Sequence, residues 1–283
     1  MNLRHFVRLL FVFSLTFTVF AKPASAEISL VFGTYAADKP TTTVRKYKPF
    51  LDHLAARMTE ILGQNVTIRM KIAKEYEESI THLAEGTVDF ARFGPASYVT
   101  VKDMNPSVQI VAMELKNDQK RFNGIIAVHS DNPIASLSDL AGQTFAFGDE
   151  LSTIGRYLSQ SHLIDAGITS SELISFEFLG RHDLVGTAVA SKRFTAGALK
   201  ESTFNKLVES GEPLRVLFVF DNVTKPWLAS ASLPEDIVAA MRDAIMSIEN
   251  EEVLDSISKD GFALGSDTDY DFVRNAMRHS AEF

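Results

Sequence analysis

Two adjacent hydroxyl side chains, Ser152 and Thr153, stand where an apolar segment gives way to a helical pattern. The apolar segment, Thr144–Phe147, predicts a strand, and the residues from Ile154 to Ala166 predict a helix. The first turn of a helix has unpaired N–H groups and a partial positive charge, so it can bind an anion. The same hydroxyls could instead serve only as an N-cap, which leaves an anion site and a plain cap as alternatives.

Three further loops lie between a predicted strand and a predicted helix, and they too carry polar or aromatic side chains. In α/β folds, ligands bind at the carboxyl ends of strands, where such loops and helix N-termini converge. Hydroxyls, two tyrosines and one histidine suit a cleft for a small oxyanion. The four loops are Tyr35–Pro40, Gly94–Tyr98, Ser152–Gly155 and Gly180–Asp183.

Strand-like and helical segments alternate along the chain, which predicts an α/β protein with mainly parallel sheets flanked by helices. No Pro/Gly/Ser-rich linker separates the halves, so the chain forms either one domain or two lobes joined by ordered strands. We expect two lobes, residues 27–121 with 222–283 and residues 122–221. Phe122–His129 and Arg215–Asp221 are expected to cross between the lobes as a hinge. The other predicted strands are Ile28–Thr34, Val66–Ile72, Val88–Phe93, Val108–Met113, Phe176–Leu179 and Thr195–Leu199.

The first 26 residues have the features of a cleaved secretory signal peptide. A positively charged start with Arg4 and Arg8 precedes the apolar run Leu9–Phe20 and an A-x-A cleavage site at Ala24–Ala26. The apolar run is too short for a membrane span, which needs about 20 residues. The chain has no cysteine, so it can form neither a disulfide nor the thioether anchor of a lipoprotein. We therefore expect a free periplasmic protein that starts at Glu27.

The expected mature chain is strongly acidic. Removing Arg4, Arg8 and Lys22 from the 28 basic residues leaves 25 against 36 acidic residues, a net charge of −11. Such a surface disfavours nucleic acid and anionic membranes as partners. A small anionic ligand stays possible, because fields are screened beyond about 8–10 Å at ordinary salt and a site is governed by its local donors.

A set of motifs along the chain resembles the phosphate-, phosphite- and phosphonate-binding receptors of ABC importers. The resemblance covers essentially the whole expected mature chain, with the motifs in the order typical of that family. The motifs are F-G-T-Y…K-P (Phe32–Pro40), G-P-A-S-Y (Gly94–Tyr98), S-L-S-D-L-A-G (Ser136–Gly142), F-G-D-x-L-S-T-x-G (Phe147–Gly155), F-L-G-R-H-D (Phe178–Asp183), Pro226-Trp227 and L-P-E-D (Leu233–Asp236).

This resemblance implies a two-lobed type II periplasmic binding protein, with no cofactor and no catalytic activity, that closes on its ligand. It implies that Tyr35 and Tyr98, with Ser97, contact the ligand from the first lobe. Ser152, Thr153 and the N–H groups of Ile154 and Gly155 would bind the oxyanion from the second lobe, and His182 would donate to another oxygen. The implied partner is an ABC permease, and the protein is expected to be a monomer.

Two positions depart from the family pattern. Ile154 replaces the third hydroxyl of the S-T-S-G motif found in many relatives, so one side-chain donor is lost while the backbone N–H remains. Thr195 stands where the family commonly has an aspartate, which could pair with the amino group of an aminoalkylphosphonate. Such a ligand is therefore disfavoured, although Glu201 lies nearby in sequence.

Three other interpretations were weighed. A hydrolase is disfavoured because no G-x-S-x-G motif is present and Asp183 follows His182 too closely to orient its ring. A metal site is disfavoured because the histidines are scattered, with no pair at the H-x-x-x-H spacing. The third alternative is a sensing protein that presents its closed form to a membrane sensor kinase or cyclase. It uses the same ligand-driven closure as an import receptor, so the sequence leaves both open.

Overall fold

The computed structural model describes residues 27–35, 40–257 and 259–283, so the expected signal peptide lies outside the described residues, as does most of the Tyr35–Pro40 loop. Strands and helices alternate over the described chain, which confirms the predicted α/β class. The helices are α1 (Pro40–Leu62), α2 (Tyr76–Ala84), α3 (Pro95–Met104), α4 (Ser159–Asp165), α5 (His182–Ala190), α6 (Glu201–Glu209), α7 (Glu235–Met246), α8 (Glu251–Ile257) and α9 (Asp271–His279).

Among the described residues, six strands form a first sheet in the order β11-β4-β10-β3-β1-β2. Strand β1 pairs in parallel with β2 and β3, whereas β10 runs antiparallel between β3 and β4. The loops that follow β1 and β3 therefore lie at the same edge. These strands are β1 (Ile28–Tyr35), β2 (Val66–Ala73), β3 (Phe90–Arg92), β4 (Gln109–Leu115), β10 (Pro226–Ala229) and β11 (Gly261–Ala263).

Strands β10 and β11 were not predicted from the sequence, which indicated only helices after Trp227. Strand β10 is a short, wholly buried central strand. Its proline is the first residue, a position where the missing N–H is tolerated. The ring of Trp227 stacks on that of Phe32 at 5.3 Å between centroids. The ring of Phe50 packs against the same indole at 4.6 Å between centroids. The strand thus places the largest aromatic side chain in the core of the first sheet.

The described part of residues 121–223 contributes five strands to a second sheet in the order β7-β6-β8-β5-β9. Strands β6, β7 and β8 are parallel, as expected. The two predicted crossing segments form long strands that pair antiparallel along their length, from Arg121 opposite Val223 to His129 opposite Leu214. The strands are β5 (Arg121–His129), β6 (Thr144–Phe147), β7 (Ser175–Phe178), β8 (Ala196–Lys200) and β9 (Leu214–Val223).

The helix predicted from Ile154 to Ala166 is not α-helical throughout. Thr153–Leu158 forms a wider π-helical segment, and only Ser159–Asp165 is α-helical. Short π-helical stretches are rare and occur often at functional sites, because the wider turn redirects backbone N–H groups and side chains. The departure thus falls on the residues that the sequence singled out.

The C-terminal residues contact elements next to the first sheet and elements of the second sheet. Helix α9 packs on α3 and on the π-helical segment. The ring of Phe283 packs edge-on against Phe147 and Phe176 of the second sheet, at 5.4 and 5.6 Å between centroids. Residues 222–283 were assigned to the first lobe on sequence grounds. The bounds of the two lobes stay a prediction. The C-terminal segment contacts elements from both of the predicted lobes. Within the described chain, no helix combines the length and apolarity that a membrane span requires.

Candidate functional site

The N-termini of α3 and of the π-helical segment face each other. The backbone N–H of Ala96, in the first turn of α3, donates a 2.8 Å hydrogen bond to Oγ1 of Thr153. Helix α3 begins with Pro95 after an extended Gly94, an arrangement that favours a sharp helix start. Two sets of N-terminal N–H groups, one from each sheet's half of the chain, therefore converge on one small region where an oxyanion would be stabilised.

The phenol of Tyr35 lies at the centre of this region. Its oxygen accepts a 2.6 Å hydrogen bond from the N–H of Gly94 and lies 3.1 Å from Oγ of Ser97. Burial raises the pKa of Tyr35 to about 12, although the hydrogen bonds from Ser97 and Gly94 act in the opposite direction. The phenol therefore stays protonated at neutral pH and is available as a neutral donor.

Ser152 is the N-cap of the π-helical segment. Its Oγ accepts a 3.0 Å hydrogen bond from the N–H of Gly155, which confirms the cap interpretation of this residue. Gly155 and Gly148 lie in backbone contact, since the N–H of Gly148 donates to the carbonyl of Gly155 at 2.8 Å. A Cβ on Gly155 would lie 2.8 Å from the Cα of Gly148. Both glycines of the F-G-D-x-L-S-T-x-G motif are therefore required by this close approach.

A small void of about 20 Å³ lies between these groups. Its walls include four of the predicted ligand residues with backbone or side-chain donors, Tyr35, Ser152, Thr153 and His182. Ile154 also lines it, while its side chain is buried in the apolar core of the second sheet. Ile154 can therefore offer its N–H rather than a side-chain group. The remaining walls are Tyr76, Gly94, Pro95, Phe122, Lys200, Asn222 and Lys225.

Tyr98 does not lie on this void. Its hydroxyl donates a 2.6 Å hydrogen bond to Asp267, and its ring packs against Tyr270 at 4.6 Å between centroids. Burial and the adjacent Asp267 raise the pKa of Tyr98 further above its ordinary value. The structure thus directs Tyr98 toward the C-terminal part of the chain, while its neighbour Ser97 contacts Tyr35.

Thr195 also lies apart from the void. It stands just before β8, at the amino end of that strand, where its N–H donates to Oγ1 of Thr144 at 2.9 Å. The residue at the carboxyl end of β8, next to the void, is Lys200. The expectation that position 195 selects the ligand's substituent is therefore not met, because the strand separates this position from the site.

A second, much larger cavity of about 610 Å³ adjoins the void and shares Tyr35, Phe122, Lys200 and Lys225 with it. Among the described residues, seven basic and three acidic side chains line it. None of these basic residues was predicted from the sequence. They are Lys46, Arg92, Lys116, Lys200, Lys206, Lys225 and Lys259.

A buried ion network supports one wall of this cavity. Arg92 donates to Glu114 through Nη2 at 2.8 Å, and the ammonium of Lys259 lies 3.0 Å from Oε2 of the same carboxylate. The indole of Trp227 donates to Oε1 at 3.2 Å. Burial acts to raise the pKa of Glu114, but Arg92 and Lys259 outweigh it and hold the pKa well below its usual range. The carboxylate is therefore fully engaged by its own neighbours.

Among the basic side chains of the cavity, Lys46 and Lys225 are two whose charged form is strongly disfavoured by burial. Burial, reinforced by the charge of Arg92, lowers the pKa of Lys46 from 10.5 to about 7. Burial and then the charges of Arg92 and Lys200 lower the pKa of Lys225 well below its ordinary value. Within the described ranges, no carboxylate lies within 4 Å of either ammonium group.

Two further polar side chains, Asn222 and Asp149, lie on the wall of the void and next to the Gly148 turn, respectively. Oδ1 of Asn222 is buried and has no hydrogen-bond partner among the residues that the structure describes. Asp149 follows Gly148 and accepts a 2.8 Å hydrogen bond from the N–H of Leu151. Burial raises the pKa of Asp149 to about 6, and the nearby carboxylate of Glu75 adds to the effect.

In the described chain, no group of three or more metal-ligating side chains is found.

Comparison with known proteins gives a consistent result. Residues 32–270 match the family described as "ABC transporter, phosphonate, periplasmic substrate-binding protein". The probable ABC transporter phosphite binding protein PhnD1 of Prochlorococcus marinus (strain MIT 9301) is 23% identical over 303 residues, which cover 98% of this chain and 97% of that protein. The phosphate-import protein PhnD of Mycolicibacterium smegmatis (strain ATCC 700084 / mc(2)155) is 24% identical over 236 residues and covers 72% of each.

A solved structure gives the same result for the fold. The structure of PhnD1 from Prochlorococcus marinus (MIT 9301) in complex with methylphosphonate has a TM-score of 0.81 to this chain, at 19% identity, and covers 90% of this chain and 99% of that one. This similarity confirms the predicted two-lobed type II periplasmic binding protein fold.

Proposed function

Because the chain belongs to the family of periplasmic substrate-binding proteins of phosphonate ABC transporters, we propose that it binds a small phosphorus oxyanion in the void described above and delivers it to an ABC importer. The observation that carries this proposal is the pair of helix N-termini that meet at the Ala96–Thr153 hydrogen bond. Import is proposed over sensing because the matched family is a transporter component. The relatives named for phosphite and phosphate support phosphorus oxyanions as the ligand class.

In this proposal a ligand oxygen takes the place of the Thr153 hydroxyl as acceptor of the Ala96 N–H. The freed hydroxyl then donates to the ligand, together with Tyr35, Ser152 and His182. Each charge-assisted hydrogen bond contributes about 1.5–3 kcal/mol. A few of them, less the cost of ordering the ligand, reach the roughly −8 kcal/mol of micromolar binding.

A thermal-shift screen tests the ligand class. The protein is first unfolded and refolded to remove co-purified ligand, then mixed with phosphite, methylphosphonate, aminoethylphosphonate, phosphate or sulfate. A ligand at 100 times its dissociation constant stabilises the folded state by about 2.7 kcal/mol. We expect a shift with at least one phosphorus oxyanion. No shift with any of the five would refute the ligand class.

A substitution locates the binding region. Thr153→Val keeps the shape of the side chain but removes its hydroxyl, so we expect at least about tenfold weaker binding, or about 1.4 kcal/mol. Thr67→Val makes the same change near the start of strand β2, where Thr67 pairs with Ser29 and does not line the void. Calorimetric titration should find the affinity of this control unchanged. Equal affinities in both variants would place the ligand elsewhere.

A further inference from the structure

The void admits a phosphorus headgroup only when the ligand displaces the Thr153 hydroxyl from the Ala96 N–H, and it leaves no room for a substituent. The cavity beside it is about thirty times larger. A volume near 20 Å³ is that of about one water-sized probe. The adjoining cavity measures about 610 Å³, within the range of about 300–1,000 Å³ typical of pockets for small organic molecules. The two spaces share Lys200 and Lys225 in their walls. A substituent leaving the headgroup would therefore enter the large cavity between these two lysines.

The charge lining the cavity is opposite in sign to that of the chain as a whole. Its basic side chains come from α1, β3, β8, α6 and the segments around Lys116, Lys225 and Lys259, so they are distant in sequence and are brought together by folding. Of the three acidic side chains on its wall, Asp183 is engaged by Arg181 at 3.0 Å and Glu201 accepts a hydrogen bond from Asn123 at 3.2 Å. The third, Glu212, leaves the seven basic side chains in excess. Glu114, behind the wall, is shared by Arg92 and Lys259.

These contacts leave the side chains of Lys46 and Lys225 without a carboxylate partner in the described chain. Lys46 and Lys225 are both partly buried, and no described carboxylate lies within 4 Å of either. Partly buried charges without partners are costly, and an anion placed between them would remove part of that cost. A neutral substituent would not, and a cationic amino group would add to the repulsion.

Building on the proposed function, we propose that the preferred ligand is an organic phosphonate or phosphate monoester that carries a second anionic group, such as a carboxylate, on a short carbon chain. The phosphorus group would occupy the void, and the second anionic group would lie in the large cavity against Lys225 and Lys46. The site would thereby select phosphonocarboxylates over alkyl- and aminoalkylphosphonates of similar size.

Calorimetric titration of the full mature chain, freed of co-purified ligand, tests this selection directly. The ligands are 3-phosphonopropionate, propylphosphonate, aminoethylphosphonate and methylphosphonate. We expect 3-phosphonopropionate to bind at least about tenfold more tightly than propylphosphonate, which equals about 1.4 kcal/mol. Equal affinities for these two ligands would overturn the second subsite, while binding of methylphosphonate would leave the proposed function intact. If none of the four binds, this inference fails, whereas the proposed function fails only if phosphite and phosphate also leave the melting temperature unchanged.

Variants of the two lysines assign the effect to the cavity. We expect Lys46→Met to weaken 3-phosphonopropionate binding about tenfold and to change propylphosphonate binding less than about threefold. Lys225 also lines the void, so Lys225→Met should weaken both ligands, but 3-phosphonopropionate by a clearly larger factor. Lys48→Met is the control, because Lys48 lies on the same helix but is exposed and pairs with Asp52. Lys46→Arg and Lys225→Arg keep the charge and should retain the selectivity. Equal losses for both ligands in the methionine variants would overturn the assignment of these lysines.

Discussion

Replacing Lys46 by methionine should make the protein more stable at neutral pH. Lys46 lines the large cavity beside Arg92, and its surroundings disfavour the charged form, which lowers its pKa from 10.5 to about 7. One pKa unit corresponds to about 1.36 kcal/mol, so the shift sets an upper bound of about 4–5 kcal/mol on the cost of the charge. Because the side chain keeps some contact with solvent, we expect a gain of about 1–2 kcal/mol for Lys46→Met.

The sign of the pH dependence follows from the direction of the shift. Between pH 7 and 10.5 the unfolded chain binds more protons at Lys46 than the folded protein does, so this lysine destabilises the fold progressively as the pH falls. Its destabilising effect is complete at about pH 7 and absent above pH 10.5. The gain from Lys46→Met should therefore be largest near pH 7 and should shrink toward pH 10.

Equilibrium unfolding in urea at pH 7 and pH 9.5 measures this gain, with ligand-free protein. In thermal unfolding, a gain of 1 kcal/mol in a chain of this size should raise the melting temperature by about 2–4 °C. The exposed Lys48→Met variant should change stability by no more than about 0.5 kcal/mol. If Lys46→Met is no more stable than the wild type at pH 7, then Lys46 does not carry a disfavoured charge, and the reasoning about the cavity is wrong.

Three further outcomes follow from other parts of the site. Asp149→Asn should stabilise the protein by about 1 kcal/mol at pH 7.5 but not at pH 4. The carboxyl pKa is raised in the folded protein, so ionisation of Asp149 lowers the stability as the pH rises from 3.8 to about 6. Urea unfolding at the two pH values measures this difference. Glu114→Gln should cost about 3–5 kcal/mol, because it leaves the buried charge of Arg92 without its partner, as chemical unfolding would show. Gly155→Ala should abolish oxyanion binding in calorimetry, because its Cβ would lie 2.8 Å from the Cα of Gly148.

The arrangement of strands and site loops was predictable because its signals are local. Apolar runs such as Thr144–Phe147 and Arg215–Phe220 mark buried strands, and the loops between strands and helices carry glycines and hydroxyls in short motifs. The first sheet's β10 and β11 were missed because they have four and three residues. Segments of that length have no periodicity to detect, and their place in the sheet depends on partners far away in sequence.

The two neighbours Ser97 and Tyr98 show what a motif does not reveal. Adjacent residues on a helix point about 100° apart, so these two side chains on α3 have different surroundings. Ser97 contacts Tyr35 and Tyr98 contacts Asp267. A motif carried over residue by residue from a family ignores this phase. The position of Thr195 was misjudged for a related reason, because only the structure shows which end of β8 faces the void.

The cationic cavity could not be read from the sequence, because its lysines are scattered over more than 200 residues and the chain is acidic overall. Lys46 lies in the short basic stretch Arg45–Lys48, but Lys225 and Lys259 each stand among residues that are not basic. Their clustering appears only when α1, the segment between β9 and β10, and the end of α8 fold around one space. Within that space the local charges dominate, because surface charges farther than about 8–10 Å are screened by salt.

In the proposed function, the placement of these cations would let an anionic ligand favour closure of the two proposed lobes. Lys46 and Arg92 belong to the first sheet's part of the chain, whereas Lys200 and Lys206 belong to the second. Positive charges on both sides repel each other across the cavity, which favours separation when no anion is bound. An anion between them contacts both sides at once and gains the most when they are close. Such a difference in affinity between two arrangements is what a ligand requires to shift their populations.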